Sequence, residues 1–271
     1  MDIATIDGIE IAYRVAGSES APGVLLIHGY TGNHRNWALN VKAILAAGYR
    51  TLSPDNPGHG ESSAPKSFED YEFGRVADVL YELASGLDFE PAIVVGHSMG
   101  GAIAEEYALR HRAAVRALVL VGSAGGASGT ERPSMAQHID DLRDVFARGG
   151  MTTVFDRLAE LGLRPELESM SDSMRRLVRS EFAKTSWPGY EFGGLALRTR
   201  RETLTGLAEL DVPTMIVHGD AESPELKRVS RDLEQTIRGS RRVVIPRAGH
   251  GTQIDAPDAF NRELLGFLAS L

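Results

Sequence analysis

The chain has 271 residues, of which 42% are hydrophobic and 24% charged, and its formal net charge is −8. This length supports one folded domain with a sizeable core, and the acidic balance argues against nucleic acid or an anionic membrane surface as a partner. The chain contains no cysteine. Disulfides, thiol nucleophiles and thiolate metal sites are therefore excluded.

The N-terminal residues show neither the basic n-region nor the apolar h-region of a secretory signal. No apolar run approaches the roughly 18 residues that a membrane span needs. We therefore expect a cytoplasmic protein with no membrane partner.

Hydrophobic periodicity predicts strands that alternate with helices along most of the chain. Alternating apolar residues around Asp7-Gly8 predict an antiparallel hairpin over 3–16, and the apolar run 23–28 predicts a strand buried on both faces. The pattern then predicts, in order, a helix over 37–46, a strand over 49–53, a helix over 68–83, strands over 91–95, 115–121, 214–217 and 242–245, and a closing helix over 259–271. Such alternation is typical of an α/β fold with a mostly parallel sheet covered on both faces.

One region of about 70 residues interrupts this alternation, because it shows helical spacing without a strand pattern. It begins at a glycine- and serine-rich stretch over 122–129, and its helical stripes are interrupted at Gly149-Gly150, at Gly162 and before Pro188, with a further stripe over 195–207. We predict a helical insertion laid over the ends of the strands. The expected organisation is a first core segment over 1–124, a helical lid over 125–207 and a second core segment over 208–271.

The segment that organises the predicted chemistry runs from Ile93 to Gly101. An apolar β-branched run ends at Gly96, Ser98 follows between small residues, and a helical pattern begins directly afterwards. This is G-x-S-x-G between a strand and a helix, the pattern of a nucleophile elbow. The glycines two before and two after Ser98 allow the strand and the helix to pass closely, and the serine hydroxyl then lies at the positive end of a helix.

A serine nucleophile needs an adjacent base that a third group orients. His250 is the best candidate, because its loop follows the last predicted strand, where side chains reach the carboxyl end of a parallel sheet. We interpret His28, His97 and His111 as structural. The acid is expected after a strand between Ser98 and His250, where Asp220 and Glu222 both follow Gly219. These residues alone leave the choice between the two carboxylates open.

The motifs that carry a resemblance are H-G-Y-T-G from His28, D-x-x-G-H-G-x-S from Asp55, G-H-S-M-G from Gly96, and Gly249-His250. With these motifs the chain resembles the α/β-hydrolase superfamily along nearly its whole length, in the lidded branch that includes esterases, lactonases and C–C bond hydrolases. The resemblance implies an eight-stranded, mostly parallel sheet with helices on both faces and a helical lid.

The resemblance also implies roles for individual residues. The family usually places its acid as the aspartate of a G-x-x-D pattern, and counting from Gly219 reaches Glu222, so we favour Glu222 over Asp220. The oxyanion hole would take the backbone N–H groups of Met99 and Tyr30. We interpret the turn from Asp55 to Ser62 as structural.

The candidate substrate pocket is less specific than the catalytic motifs. Its proposed lining residues are His28, Gly29, Trp187 and Phe192, although the lid aromatics are also suited to the lid's own core.

These features predict a serine hydrolase for a small, moderately apolar ester, lactone or related carbonyl compound. A C–C bond hydrolase or lyase that uses the same three residues is the first alternative, and a receptor for small molecules without turnover is an alternative of another class. No H-E-x-x-H spacing is present, and no G-x-G-x-x-G follows the first parallel strand. We therefore expect neither a metal nor a cofactor, and a small-molecule substrate as the partner.

Overall fold

The structure of the protein is a computed structural model that describes residues 1–126, 139–164, 167–168 and 170–271. Residues 127–129 of the predicted glycine- and serine-rich stretch over 122–129, and the part of the predicted lid that follows them as far as residue 138, lie outside these described residues.

The described strands form one eight-stranded sheet in the order β1-β2-β4-β3-β5-β6-β7-β8. β1 pairs antiparallel with β2 and β2 with β4, and the remaining pairs are parallel. The prediction of a mostly parallel sheet is therefore confirmed. The strands are β1 (Asp2–Ile6), β2 (Ile9–Ala16), β3 (Gly23–Ile27), β4 (Arg50–Pro54), β5 (Ala92–His97), β6 (Val115–Val121), β7 (Thr214–Gly219) and β8 (Arg241–Ile245).

Helices cover both faces of this sheet. In chain order the helices of the described residues are α1 (Ala38–Ala46), α2 (Phe73–Gly86), α3 (Met99–Arg110), α4 (Ile139–Glu160), α5 (Asp172–Phe182), α6 (Trp187–Thr199), α7 (Leu204–Leu207), α8 (Pro224–Thr236), α9 (Thr252–Asp255) and α10 (Pro257–Leu268). Successive strand residues alternate between two apolar clusters: Leu25 and Ile27 face α2 and α3, whereas Val24 and Leu26 face α1 and α10. The central strands are thus buried on both sides, as their continuous apolar runs predict.

The described residues between β6 and β7 are largely helical, and helix bounds differ from the predicted ones in this segment and at α2. The fourth helix begins at Trp187 and ends at Thr199, instead of spanning 195–207, and α7 is separate. The side chain of Ser186 accepts a hydrogen bond from the Gly189 N–H, and Pro188 lies in the first turn, so the proline opens this helix. The predicted helix over 68–83 also divides, because Glu72 is extended between a short 3₁₀ turn and α2.

A buried carboxylate joins the two ends of this helical segment. Glu105 on α3 is fully buried and accepts hydrogen bonds from Ser123 Oγ at 2.7 Å, from the Gly126 N–H at 2.8 Å and from Thr203 Oγ1 at 2.6 Å. Gly126 and Thr203 also bond to each other through their main chains at 3.0 Å. The chain therefore leaves the core and returns to it at nearly the same point. The neighbouring Glu106 adds an ion pair with Arg201.

A second buried carboxylate fixes the loop that follows β4. Asp55 Oδ1 accepts a hydrogen bond from the backbone N–H of His34 at 2.7 Å and lies 2.8 Å from Nδ1 of the His34 ring. Asp55 Oδ2 accepts a hydrogen bond from the Glu61 N–H at 2.9 Å. Burial by itself would raise the pKa of Asp55, but the hydrogen bonds and the nearby histidines together lower it below its usual value. The buried side chain of Asp55 thus fixes the turn from Asp55 to Ser62 through its hydrogen bonds.

None of the helices in the described ranges combines the length and the apolar character that crossing a membrane requires.

We expect Asp55→Asn to lower the free energy of unfolding by about 3 kcal/mol at pH 7, because the buried donors of His34 and Glu61 lose their charged acceptor. The pKa of Asp55 is lower in the folded chain, so its contribution is complete above the unfolded value of about 4 and is lost as the pH falls through the lower, folded value. Urea unfolding of both proteins between pH 7 and pH 3 measures this difference.

Asp7→Asn is the matched control, because Asp7 forms an exposed ion pair with Arg75 at 2.9 Å. Its effect should stay below about 1 kcal/mol. A deficit in Asp55→Asn that is the same at pH 7 and pH 3 would contradict the assignment of the effect to the ionised carboxylate.

Candidate active site

Ser98 occupies a sharp turn between β5 and α3. Its φ of +54° and ψ of −116° lie in a region that residues with a side chain rarely adopt. A Cβ on Gly96 would overlap the carbonyl oxygen of Gly100, and a Cβ on Gly100 would overlap the carbonyl oxygens of Ile27 and His28. The two glycines therefore permit the close passage of strand and helix that the sequence predicts.

Three side chains from the carboxyl ends of β5, β7 and β8 form one hydrogen-bonded chain. Ser98 Oγ lies 2.8 Å from Nε2 of His250, and Nδ1 of His250 lies 2.6 Å from Oε2 of Glu222. Gly122, at the end of β6 with a φ of +50°, leaves space beneath this chain, because a Cβ there would lie 3.2 Å from both Glu222 Oε2 and His250 Nδ1. The histidine side chain is 41% exposed, whereas that of Glu222 is 3% exposed.

The charge of Glu222 sets the direction of these hydrogen bonds. Burial would raise the pKa of Glu222, but the hydrogen bond with His250 and the one from the Ser223 N–H, which donates to Oε1 at 2.7 Å, lower it. The ionised carboxylate can only accept, so Nδ1 of His250 carries the proton and Nε2 is left to accept from the serine hydroxyl. The arrangement thus presents a base directly to Ser98.

Asp220, the other carboxylate that the sequence allows, contacts a different group. Its Oδ1 accepts from the Ala248 N–H at 3.3 Å. The pKa of Asp220 is lowered mainly by a hydrogen bond from the Arg247 main chain. Hydrogen bonds from the main chains of Ala248 and Ala221 lower it further. Asp220 therefore braces the β8–α9 loop, and the residue in contact with His250 is Glu222.

The two predicted oxyanion donors border Ser98. Met99 is the first residue of α3, so its N–H has no intrahelical acceptor. A Cβ on Gly29 would lie 3.1 Å from Cβ of Ser98, which places the main chain that leads into Tyr30 against the serine. Among the described residues, no hydrogen-bond acceptor is paired with the Tyr30 N–H.

The predicted pocket residues lie in different surroundings. His28 is fully buried, with Nδ1 bonded to the Gly29 carbonyl at 2.8 Å and Nε2 accepting from the Asn56 N–H at 2.9 Å. Burial lowers the pKa of His28, so the ring is a neutral link between two loops. Trp187 packs against Phe146 and Tyr190, and Phe192 against Phe68 and Tyr71, so both aromatic residues pack against neighbouring rings.

Two contacts near the site join residues for which the sequence offers no partner. His34 bonds Asp55, and Nε2 of His97 lies 3.1 Å from the carbonyl oxygen of His250. Burial is the main cause that lowers the pKa of His97 to about 3, so its ring is neutral. Because a carbonyl oxygen can only accept, Nε2 of His97 donates to it. Both contacts join segments that are distant in sequence, and local patterning carries no signal for them.

The family model described as alpha/beta hydrolase fold matches residues 22–257. The chain belongs to the α/β-hydrolase family. The fold that the sequence motifs imply is therefore confirmed.

The solved structures include an esterase from Exiguobacterium antarcticum with a TM-score of 0.83 and 25% identity, which covers 98% of both chains. The enol-lactonase from Burkholderia xenovorans LB400 aligns with a TM-score of 0.81 and 25% identity over 99% of this chain and 100% of its own. Among the curated proteins, the 2-hydroxy-6-oxo-6-(2'-aminophenyl)hexa-2,4-dienoic acid hydrolase of Metapseudomonas resinovorans is 28% identical over 97% of this chain and 88% of its own.

Within the described residues, no group of three or more histidine, aspartate or glutamate side chains is arranged to hold a metal ion.

We expect Gly100→Ala to lower the free energy of unfolding by about 2–4 kcal/mol, because the new methyl group would overlap two main-chain oxygens that cannot rotate away. Gly266→Ala on α10 is the control. That position is open, so the helix propensity of alanine should raise stability by about 0.5–1 kcal/mol. Urea unfolding tests both variants, and equal stabilities would contradict the close approach at the elbow.

Proposed function

We propose that the protein is a serine hydrolase that cleaves a small, moderately apolar ester or lactone through an acyl-enzyme. The observation that carries this proposal is the hydrogen-bonded chain from Ser98 through His250 to the ionised Glu222, beside the N–H groups of Met99 and Tyr30. The likeness to an esterase and an enol-lactonase supports the same reaction class.

In the proposed mechanism, Nε2 of His250 takes the hydroxyl proton as Ser98 Oγ attacks the substrate carbonyl carbon. Glu222 stays ionised and stabilises the imidazolium that forms. The N–H groups of Met99 and Tyr30 bind the oxyanion of the tetrahedral intermediate. The imidazolium then gives its proton to the leaving oxygen, and water, activated by the same histidine, hydrolyses the acyl-serine.

We also propose that the helical segment over 125–207 serves as the lid of this site and selects the substrate. Its helix α6 lies against the loop after β4, where the N–H and Oγ of Ser186 donate to the Gly58 carbonyl at 2.8 and 2.9 Å. It also meets the loop after β3, because the Tyr30 hydroxyl donates to the Tyr190 carbonyl. The proposed core segments are 1–124 and 208–271.

Ser98→Ala tests the nucleophile. We expect kcat on short p-nitrophenyl esters to fall by at least about 10⁴-fold, since the attacking oxygen is lost. A fluorophosphonate should add covalently to the wild type and not to the variant, which intact-mass measurement detects. Turnover that survives the substitution would remove Ser98 from the reaction. A wild type that neither labels nor hydrolyses would favour the receptor alternative.

Glu222→Gln and Asp220→Asn test the acid as a matched pair of neutral amides. We expect Glu222→Gln to lower kcat by about 10²–10⁴-fold, because the amide can donate to Nδ1 and favour the wrong tautomer. Asp220→Asn should keep kcat within about threefold, since its contact is with the Ala248 main chain. The reverse result would leave the fold and the nucleophile in place and assign the acid to Asp220.

Hydrolysis of a C–C bond by the same three residues is a second candidate function. The similarity to the 2-hydroxy-6-oxo-6-(2'-aminophenyl)hexa-2,4-dienoic acid hydrolase favours it. Mass spectrometry of the products formed from that dienoic acid, beside the ester panel, distinguishes the two reactions. A preference for the dienoic acid by kcat/KM would replace the ester proposal.

A further inference from the structure

We propose that Tyr30 is a positioning residue, whose side chain is held by helix α6 so that its own backbone N–H stays aimed at the oxyanion. This inference rests on the proposed function, because it assigns a task within the same site. It places part of the control of the oxyanion hole in the helical segment between β6 and β7.

The side chain of Tyr30 contacts α6 through both its hydroxyl and its ring. Its hydroxyl donates to the main-chain carbonyl of Tyr190, and its ring stacks on the Tyr190 ring with centroids 5.5 Å apart and planes inclined by 27°. Burial, and next Tyr190, raise the pKa of Tyr30 well above its usual value, so the hydroxyl keeps the proton that it donates. The hydroxyl is thus committed to the helix and is not offered to a substrate.

Two other groups close around the same ring. The His59 ring meets it edge-on at 6.3 Å, and a Cβ on Gly193 would lie 3.3 Å from Cε2 of Tyr30. Helix α6 is itself fixed in place, because Ser186 bonds the Gly58 carbonyl and a Cβ on Gly189 would overlap that oxygen. The Tyr30 ring therefore packs against helix α6, whose own position is fixed by its contacts with the loop after β4.

The turn that presents the Tyr30 N–H needs such a hold. The Gly32 N–H bonds the Gly29 carbonyl at 3.0 Å, which makes 29–32 a β-turn with Tyr30 at its second position. Thr31, at the third position, has a φ of +60°, where glycine is preferred and a β-branched residue is strained. A strained turn persists only where the surrounding structure fixes its conformation. The packing of the Tyr30 ring against α6 fixes this turn.

A positioning role has a kinetic signature that a wall residue lacks. The oxyanion donor interacts most strongly with the charge that develops in the transition state, so displacing it lowers kcat more than it raises KM. A residue that only lines the pocket would alter KM and leave the chemical step nearly unchanged.

The test compares Tyr30→Phe with Tyr49→Phe on p-nitrophenyl esters. Tyr49 also donates its hydroxyl to a main-chain carbonyl, that of Leu268 at 2.9 Å, far from Ser98 in the fold. We expect Tyr30→Phe to lower kcat and the rate of fluorophosphonate labelling by about tenfold, with KM within about twofold. Tyr49→Phe should leave all three parameters within about twofold of the wild type.

Gly193→Ala approaches the same ring from the helix, with Gly266→Ala as the control for adding a methyl group to a helix. We expect Gly193→Ala to lower kcat with little change in KM, as Tyr30→Phe does.

Ser98-dependent turnover in the wild type, together with unchanged kcat in both Tyr30→Phe and Gly193→Ala, would overturn this inference alone. A rise in KM at constant kcat would make Tyr30 a wall residue and also overturn it. The absence of Ser98-dependent turnover in the wild type would overturn the proposed function and this inference together.

Discussion

The structure depends on one close approach of main chains. β3, β5 and the start of α3 converge where Gly29, Gly96 and Gly100 have no side chains to separate them. That convergence forces Ser98 to a φ of +54° and brings the loop after β3 against it. The central strands are buried on both faces, and the apolar packing of this core offsets the free energy of the strained Ser98 backbone.

The loops at the carboxyl end of the sheet are braced against one another by polar contacts. Asp55 holds His34, His28 links Gly29 to Asn56, and Asp220 bonds the main chain at Ala248. Each contact joins the loops that follow two different strands. These hydrogen-bonded loops therefore help to position Ser98, His250 and Glu222, in addition to the hydrogen bonds among the three side chains themselves.

Sequence reasoning reached the sheet, the elbow and the histidine because these leave local signals: apolar runs, G-x-S-x-G, and a histidine after the last strand. It could not decide between Asp220 and Glu222 from the residues themselves, because both follow Gly219 and only the path of the loop determines which one meets His250. The start of α6 was misplaced because Pro188 marks a helix end or a helix start depending on whether Ser186 caps it. The contact between Tyr30 and Tyr190 spans 160 residues, a separation at which periodicity carries no information.

The carboxylate of Glu105 has a consequence for how this family can diversify. Because it accepts hydrogen bonds from Ser123, Gly126 and Thr203, the two points at which the helical segment leaves and rejoins the core lie side by side. A segment of another length or helix arrangement can join the same two points without altering the order of the strands. Under the lid role proposed above, substrate preference can change with this segment while Ser98, His250 and Glu222 keep their places in the core.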